Sequence, residues 1–132
     1  MGYLGQTLRR KRFGVAMSRE PIHPAQVEFD ILDICDAIEA ETEQYASLSV
    51  MAATAEAKYK YIYARAIVDM AAHQTKMTAQ EKQARADIIA NDQYRVYRID
   101  EARRASSKEG LLSLRAKLDA LRTLSANLRH QT

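Results

Sequence analysis

Tryptophan is absent from this sequence, and cysteine, proline, phenylalanine and glycine are scarce: one, two, two and four copies in 132 residues. Each shortage removes a class of protein. The single thiol, Cys35, excludes an internal disulfide framework and a multi-cysteine zinc site, and fits a reducing, cytoplasmic setting. No glycine-rich loop is present to cradle a nucleotide phosphate. The three histidines, His23, His73 and His130, are far apart, and no His-x-x-x-His or Glu-x-x-His pair supplies metal-ligand spacing. Cys35 lies between Ile34 and Asp36 on the acidic stretch, so a structural thiol is expected rather than an activated nucleophile. No apolar run approaches the roughly 20 residues of a membrane span. The opening MGYLGQ lacks Ser or Thr at its sixth position, so the myristoylation pattern fails. The expectation is a non-enzymatic protein with no catalytic residues, no metal, no cofactor and no membrane partner.

What is present is alanine, glutamate and long stretches without a breaker. From Ala25 to Glu109 there is neither Gly nor Pro. This predicts an all-α chain of long antiparallel helices, folded as a hairpin or a small bundle. Three of the four glycines (Gly2, Gly5, Gly14) and both prolines (Pro21, Pro24) lie in residues 1–25. That segment reads as a mobile basic arm ahead of one helical domain, residues 26–132. Met17 followed by Ser18 offers an alternative start of translation.

The net charge of +3 hides a strong asymmetry. Residues 1–25 carry five Lys/Arg and one acid; residues 26–57 carry eight acids and no Lys/Arg; residues 58–132 carry fifteen Lys/Arg and eight acids. A helix dipole acts only within a terminal turn, so it does not account for an acidic stretch of this length. Two partner surfaces of opposite sign, or contacts between copies, account for it better.

The first helical run is expected over about 27–73. Its seam is Ile31, Ile34, Ile38, Tyr45, Leu48, Ala52, Ala55, Tyr59, Ile62 and Ala66, at steps of three, four or seven. A break near Glu41 to Glu43 would divide it in two. A turn is expected at about 74–77. "TAQE" then forms a capping box at Thr78 and Glu81 that opens a second run over about 78–129. Its apolar positions are Ile88, Val96, Ile99 and Ala102, with Asp92 among them, then Leu111, Leu114, Leu118, Leu121 and Leu128. Gly110 is a candidate kink. A bare hairpin about 70 Å long has a thin core, so association of copies is expected, with that leucine stripe as its surface.

Two segments interleave cations with tyrosines: "KYKYIYAR" (Lys58, Tyr59, Lys60, Tyr61, Tyr63, Arg65) and "YRVYRIDEARR" (Tyr94, Arg95, Tyr97, Arg98, Arg103, Arg104). Single-stranded nucleic acid is held by such a combination, with cations on phosphates and aromatic faces on bases. The candidate contacts are Lys58, Lys60, Tyr61, Tyr63, Arg65, Arg95 and Arg98. Packing of tyrosines between helices beneath solvated charges is the competing reading. Tyr59 falls on the seam beside Ile62, and Tyr59 and Tyr63 share a helix face at i,i+4 while Tyr61 points elsewhere. Antiparallel pairing about residue 75 would bring residue 62 near 88 and residue 58 near 92, so the two segments would be neighbours.

On these residues the chain resembles the small recombination mediator proteins of tailed phages, the UvsY-like family. The likeness lies in the size, the helical pattern over about 27–130, and a mid-chain "EA" followed by a basic, apolar stretch. Its C-terminal part, from "EKQARADII" to "DALRTLSANLR", is similar in pattern to the family's association region. The family's Lys-Ala-Arg, implicated in single-stranded DNA binding, aligns with Tyr63-Ala64-Arg65. Arg65 matches; Tyr63 stands where the family has lysine, and Lys58 and Lys60 stand one turn away. The resemblance implies a homo-oligomer that binds single-stranded DNA, remodels its complex with single-strand-binding protein and loads a recombinase, in the host cytoplasm if phage-encoded. The rival function is a helical adaptor, virion component or inhibitor whose acidic first helix, Glu28 to Glu43, binds a protein.

Overall fold

The computed structural model describes residues 21–73 and 76–131. The expected basic arm falls mostly on residues 1–20 and so lies outside the described residues. Among the described residues three α-helices follow one another: α1, Pro24–His73; α2, Ala79–Ile89; and α3, Asn91–His130. Among the described residues there is no strand. The chain is all-α. α1 pairs along its length with α3, and α2 packs on the last part of α1.

Pro24 occupies the first helical position of α1, where its missing N–H costs nothing. The His23 carbonyl accepts the N–H groups of Gln26 and Val27 at 3.0 and 3.3 Å. The helix then runs 50 residues without interruption, about 75 Å. The break expected near Glu41 to Glu43 does not occur. Thr42 donates its hydroxyl to the Ile38 carbonyl at 2.7 Å and stays within the helix. Thr78 caps α2 as its sequence predicts, accepting the N–H of Glu81 at 3.2 Å.

The second run is divided, but not at Gly110. Gly110 lies inside α3. The division is at Ala90, whose backbone (φ −92°, ψ 6°) lies in the bridge region. Its N–H still reaches the Ala86 carbonyl and its carbonyl accepts the N–H of Tyr94, both at 2.9 Å. The step is therefore a dislocation in a nearly continuous helix rather than a turn. Ala86 and Ala90 are both fully buried. Two alanines one turn apart let α2 and the start of α3 close tightly on α1.

The α1 seam matches its expected positions. Ala52, Ala55 and Ala66 are buried, and Ile31, Ile34, Ile38, Tyr45, Leu48, Tyr59 and Ile62 are half-buried. The seam of the second run does not match in its first half. Ile88, Val96 and Ile99 are more than half exposed, and Asp92 and Ala102 also face outward. The inward positions are Ala86, Ala90, Gln93, Tyr97, Asp100, Arg104 and Ser107, at steps of four and three, leading into Leu111, Leu114 and Leu118. Polar residues take the inward register because α1 offers them partners. Arg104 donates from Nη1 to the Tyr45 hydroxyl at 3.1 Å, and buried Ser107 donates to Glu41 Oε1 at 2.8 Å.

The leucine stripe expected to join copies is the inner face of the hairpin. Leu111 and Leu118 are buried, and Leu114, Leu121 and Leu128 are half-buried. Leu121 shares a groove with Asp30, Asp33 and Ile34 of α1.

Gly110 also yields a stability prediction. An added Cβ would meet Glu41 Oε1 at 3.7 Å, an ordinary contact. Glycine inside a helix costs about 0.5–1 kcal/mol relative to alanine. Gly110→Ala should therefore stabilise the protein by about that amount and raise the thermal midpoint. A lowered midpoint would show that the glycine is needed for the approach of Glu41.

Candidate nucleic-acid interface

The antiparallel register brings the two tyrosine-rich segments together. Tyr59 is the hub. Its ring centroid lies 5.2 Å from that of Tyr94 and 6.2 Å from that of Tyr97, nearly parallel to the latter at 7°. Tyr63 packs on Tyr59 from one turn along α1, at 6.2 Å, and Tyr94 meets Tyr97 edge-on at 6.4 Å. Offset and tilted ring pairs at these separations favour a closed cluster. Burial, with the Asp87 carboxylate beside it, pushes the Tyr59 phenol above its ordinary pKa. These rings are engaged with one another. Tyr63, a candidate for stacking on bases, is half-buried in this cluster, whereas Tyr61 stands 66% exposed.

The candidate cations surround this end of the hairpin. Lys58, Lys60, Arg65, Arg95 and Arg98 are all exposed. They do not share one face. Lys60 pairs with Glu56 at 2.7 Å. That hydrogen bond, with the charge behind it, holds the ammonium pKa above its usual value. Arg65 meets Asp69 at 3.4 Å. Both pairs are exposed i,i+4 contacts that solvent screens, so neither cation is withheld from a phosphate. Lys58 lines a small groove between the helices with Ala55, Asp92, Gln93 and Val96. In this groove the Gln93 amide oxygen is buried without a hydrogen-bond partner. At about 100° per residue, Arg95 and Arg98 turn to the side of α3 away from α1. The result is a collar of positive groups around the tyrosine cluster, not a flat basic patch.

Arg104 belongs to the hairpin's interior rather than to the collar. Besides Tyr45, it donates from Nε to Glu101 Oε2 at 3.2 Å, and its Nη2 contacts Glu101 Oε1. The guanidinium holds the Glu101 carboxyl below the usual carboxylate range and is itself pushed above its ordinary value.

A broader groove of about 550 Å³ lies at the turn end, lined by Tyr61, Ile62, Arg65, Ala66, Asp69, Met70, His73 and Ile89. It is largely apolar and holds one cation, one carboxylate and one imidazole. No cluster of three or more His, Cys, Asp or Glu that would hold a metal ion occurs among the described residues. No helix among them is long and apolar enough to cross a membrane. Sequence reasoning missed the Tyr45–Arg104–Glu101 and Ser107–Glu41 contacts. Their signal was an uninterrupted 4-3 spacing of inward positions that happens to be polar. No family model, no curated protein and no solved structure matches this chain.

Proposed function

We propose that this chain is a non-enzymatic, oligomeric protein that binds single-stranded DNA, and that it acts as a recombination mediator. The observation that supports this reading is the tyrosine hub. It ties segments 58–65 and 94–98 side by side and sets Lys58, Lys60, Arg65, Arg95 and Arg98 around one end of the hairpin. A flexible single strand follows a collar that a stiff duplex cannot follow. Its phosphates are the ligand, because four of the tyrosines are engaged with one another. Each contact is weak, and copies joined in one particle raise the total affinity through effective concentration. Partners on this reading are single-stranded DNA, a single-strand-binding protein displaced by competition, and a recombinase that takes its place.

The test is binding of a labelled oligonucleotide against salt. Five phosphate contacts at a slope of about 0.7 each predict a loss of about 100-fold in affinity between 50 and 200 mM salt. Absence of binding at 50 mM would overturn the reading. It would leave the alternative, a helical adaptor or inhibitor that binds a basic protein partner. That alternative draws on the exposed acids Glu28, Asp36, Glu39 and Glu43, in a stretch without any Lys or Arg.

A further inference from the structure

Both arms of the hairpin carry a strict seven-residue repeat. On α1 the inward line alternates steps of four and three from Val27 to Ala66, and every position on it is buried or half-buried. On the second run the same alternation holds from Ala86 to Leu128, straight across the dislocation at Ala90. These are the inward positions of a two-stranded coiled coil. A strict repeat leaves one thing open. Sliding one helix past the other by seven residues, about 10 Å, returns every inward position to an inward position. Periodicity therefore fixes which faces meet, but not at what level. The turn settles little more. A slide moves it by three or four residues, within a stretch that has neither glycine nor proline to mark one place for it. What is given up there is the exposed cap from Thr78 to Glu81.

We infer that two polar layers at mid-hairpin, Tyr45–Arg104 and Glu41–Ser107, lock the axial register of α1 against α3. In the observed register both layers are satisfied: Arg104 Nη1 lies 3.1 Å from the Tyr45 hydroxyl, and Ser107 Oγ lies 2.8 Å from Glu41 Oε1. A slide of seven residues one way brings Glu41 level with Leu114 and Arg104 level with Ala52. A carboxylate and a guanidinium then turn inward against apolar side chains. A slide the other way brings Glu41 level with Asp100 and Arg104 level with Ile38. Two carboxylates then share a layer. An inward charge that loses its partner costs much more than the intact pair contributes. The layers thus act by penalising the other registers rather than by strengthening the hairpin, the role that a polar residue plays on a coiled-coil seam.

The apolar layers lack this power. Leu118, level with Ile31 in the observed register, would meet Ile38 after the first slide and pack as well. The register that the polar layers select is the one that sets Tyr59 against Tyr94 and Tyr97. Glu41, Tyr45, Arg104 and Ser107 are therefore positioning residues for the tyrosine cluster, which they do not touch. This inference rests on the hairpin alone and holds whatever the cluster binds.

The test is a distance within the whole protein. Ala53 on α1 and Ser113 on α3 are exposed. Ala53→Cys and Ser113→Cys, in a Cys35→Ser background, carry spin labels whose separation is read by pulsed electron resonance, with unlabelled protein added so that only pairs within one chain count. Ser113 lies roughly 25 Å along the axis from the level of Ala53, and a slide shortens or lengthens that offset by about 10 Å. The native layers should give one distance. Glu41→Leu, Tyr45→Leu, Arg104→Leu and Ser107→Leu together make these layers apolar. That variant should keep its helicity and gain a second distance displaced by about 10 Å. A second comparison needs no leucine core. Ser107→Glu alone sets two carboxylates in one layer and should lower the thermal midpoint. Adding Glu41→Ser exchanges the partners and should recover the native midpoint with a single distance. Two distances with the native layers, a single unchanged distance in the leucine variant, or no recovery on exchange would overturn the inference.

Discussion

Leu118→Ala should lower the stability of the protein by about 2–5 kcal/mol, the range for truncating a well-packed leucine. Five of the eight buried apolar residues described are alanines, and the others are Val27, Leu111 and Leu118. A core of this kind concentrates its apolar area in few side chains. Leu118 is 8% exposed, so its truncation removes buried contacts and leaves a cavity in this thin core. The control is Leu112→Ala one face away, where the side chain is 47% exposed; its effect should stay within about 0.5 kcal/mol. Denaturant titration of both variants measures the difference. A loss for Leu118→Ala that shrinks at high protein concentration would assign the side chain to a contact between copies. Equal effects at the two positions would remove the inward seam altogether.

Replacing Lys58, Lys60, Arg65, Arg95 and Arg98 together by glutamine should all but abolish single-strand binding. Each phosphate contact contributes about 0.7 to the salt slope, so the slope should fall by about 3.5, and by about 0.7 for Arg65→Gln alone. All five side chains are exposed, so folding should be untouched, and the thermal midpoint serves as the check. The exposed Lys60–Glu56 and Arg65–Asp69 pairs are lost in this variant, but pairs of this kind contribute little to stability. A five-fold variant with the native slope would remove the collar from the binding surface. A single substitution that accounted for the whole effect would point to one tight site rather than a collar.

How much of this was legible in the sequence differs between the two arms of the hairpin. In α1 the seam is written in isoleucine, leucine and alanine, and reading apolar periodicity recovers it. In the second run the same reading selects Ile88, Val96 and Ile99, all of which face water. The inward line passes through Gln93, Asp100, Arg104 and Ser107. Their burial depends on Tyr45 and Glu41, which lie 59 and 66 residues away from Arg104 and Ser107. No local pattern announces such a pairing. The dislocation at Ala90 is equally silent, because neither glycine nor proline marks it. Gly110, which does carry a local signal, lies inside a continuous helix. The neighbourhood of the two tyrosine segments followed from the antiparallel register alone. That Tyr61 stands apart from Tyr59 and Tyr63 followed from the helical period; how the four rings close on one another depended on side-chain geometry.

The antiparallel pairing of α1 with α3 also sets the order in which the chain can assemble. Tyr59 and Tyr94 enclose 35 residues of intervening sequence span, Tyr45 and Arg104 enclose 59, and Glu41 and Ser107 enclose 66. The entropy lost on closing a loop grows with its length, by about 0.6 kcal/mol for each doubling. Contacts near the turn are therefore cheapest to make from an open chain, and each one shortens the loop left for the next. Loop closure therefore favours an order that starts at the aromatic end and proceeds outward, so that a hairpin assembled in this order forms the tyrosine cluster, and with it the ring of cations, before its distal half pairs.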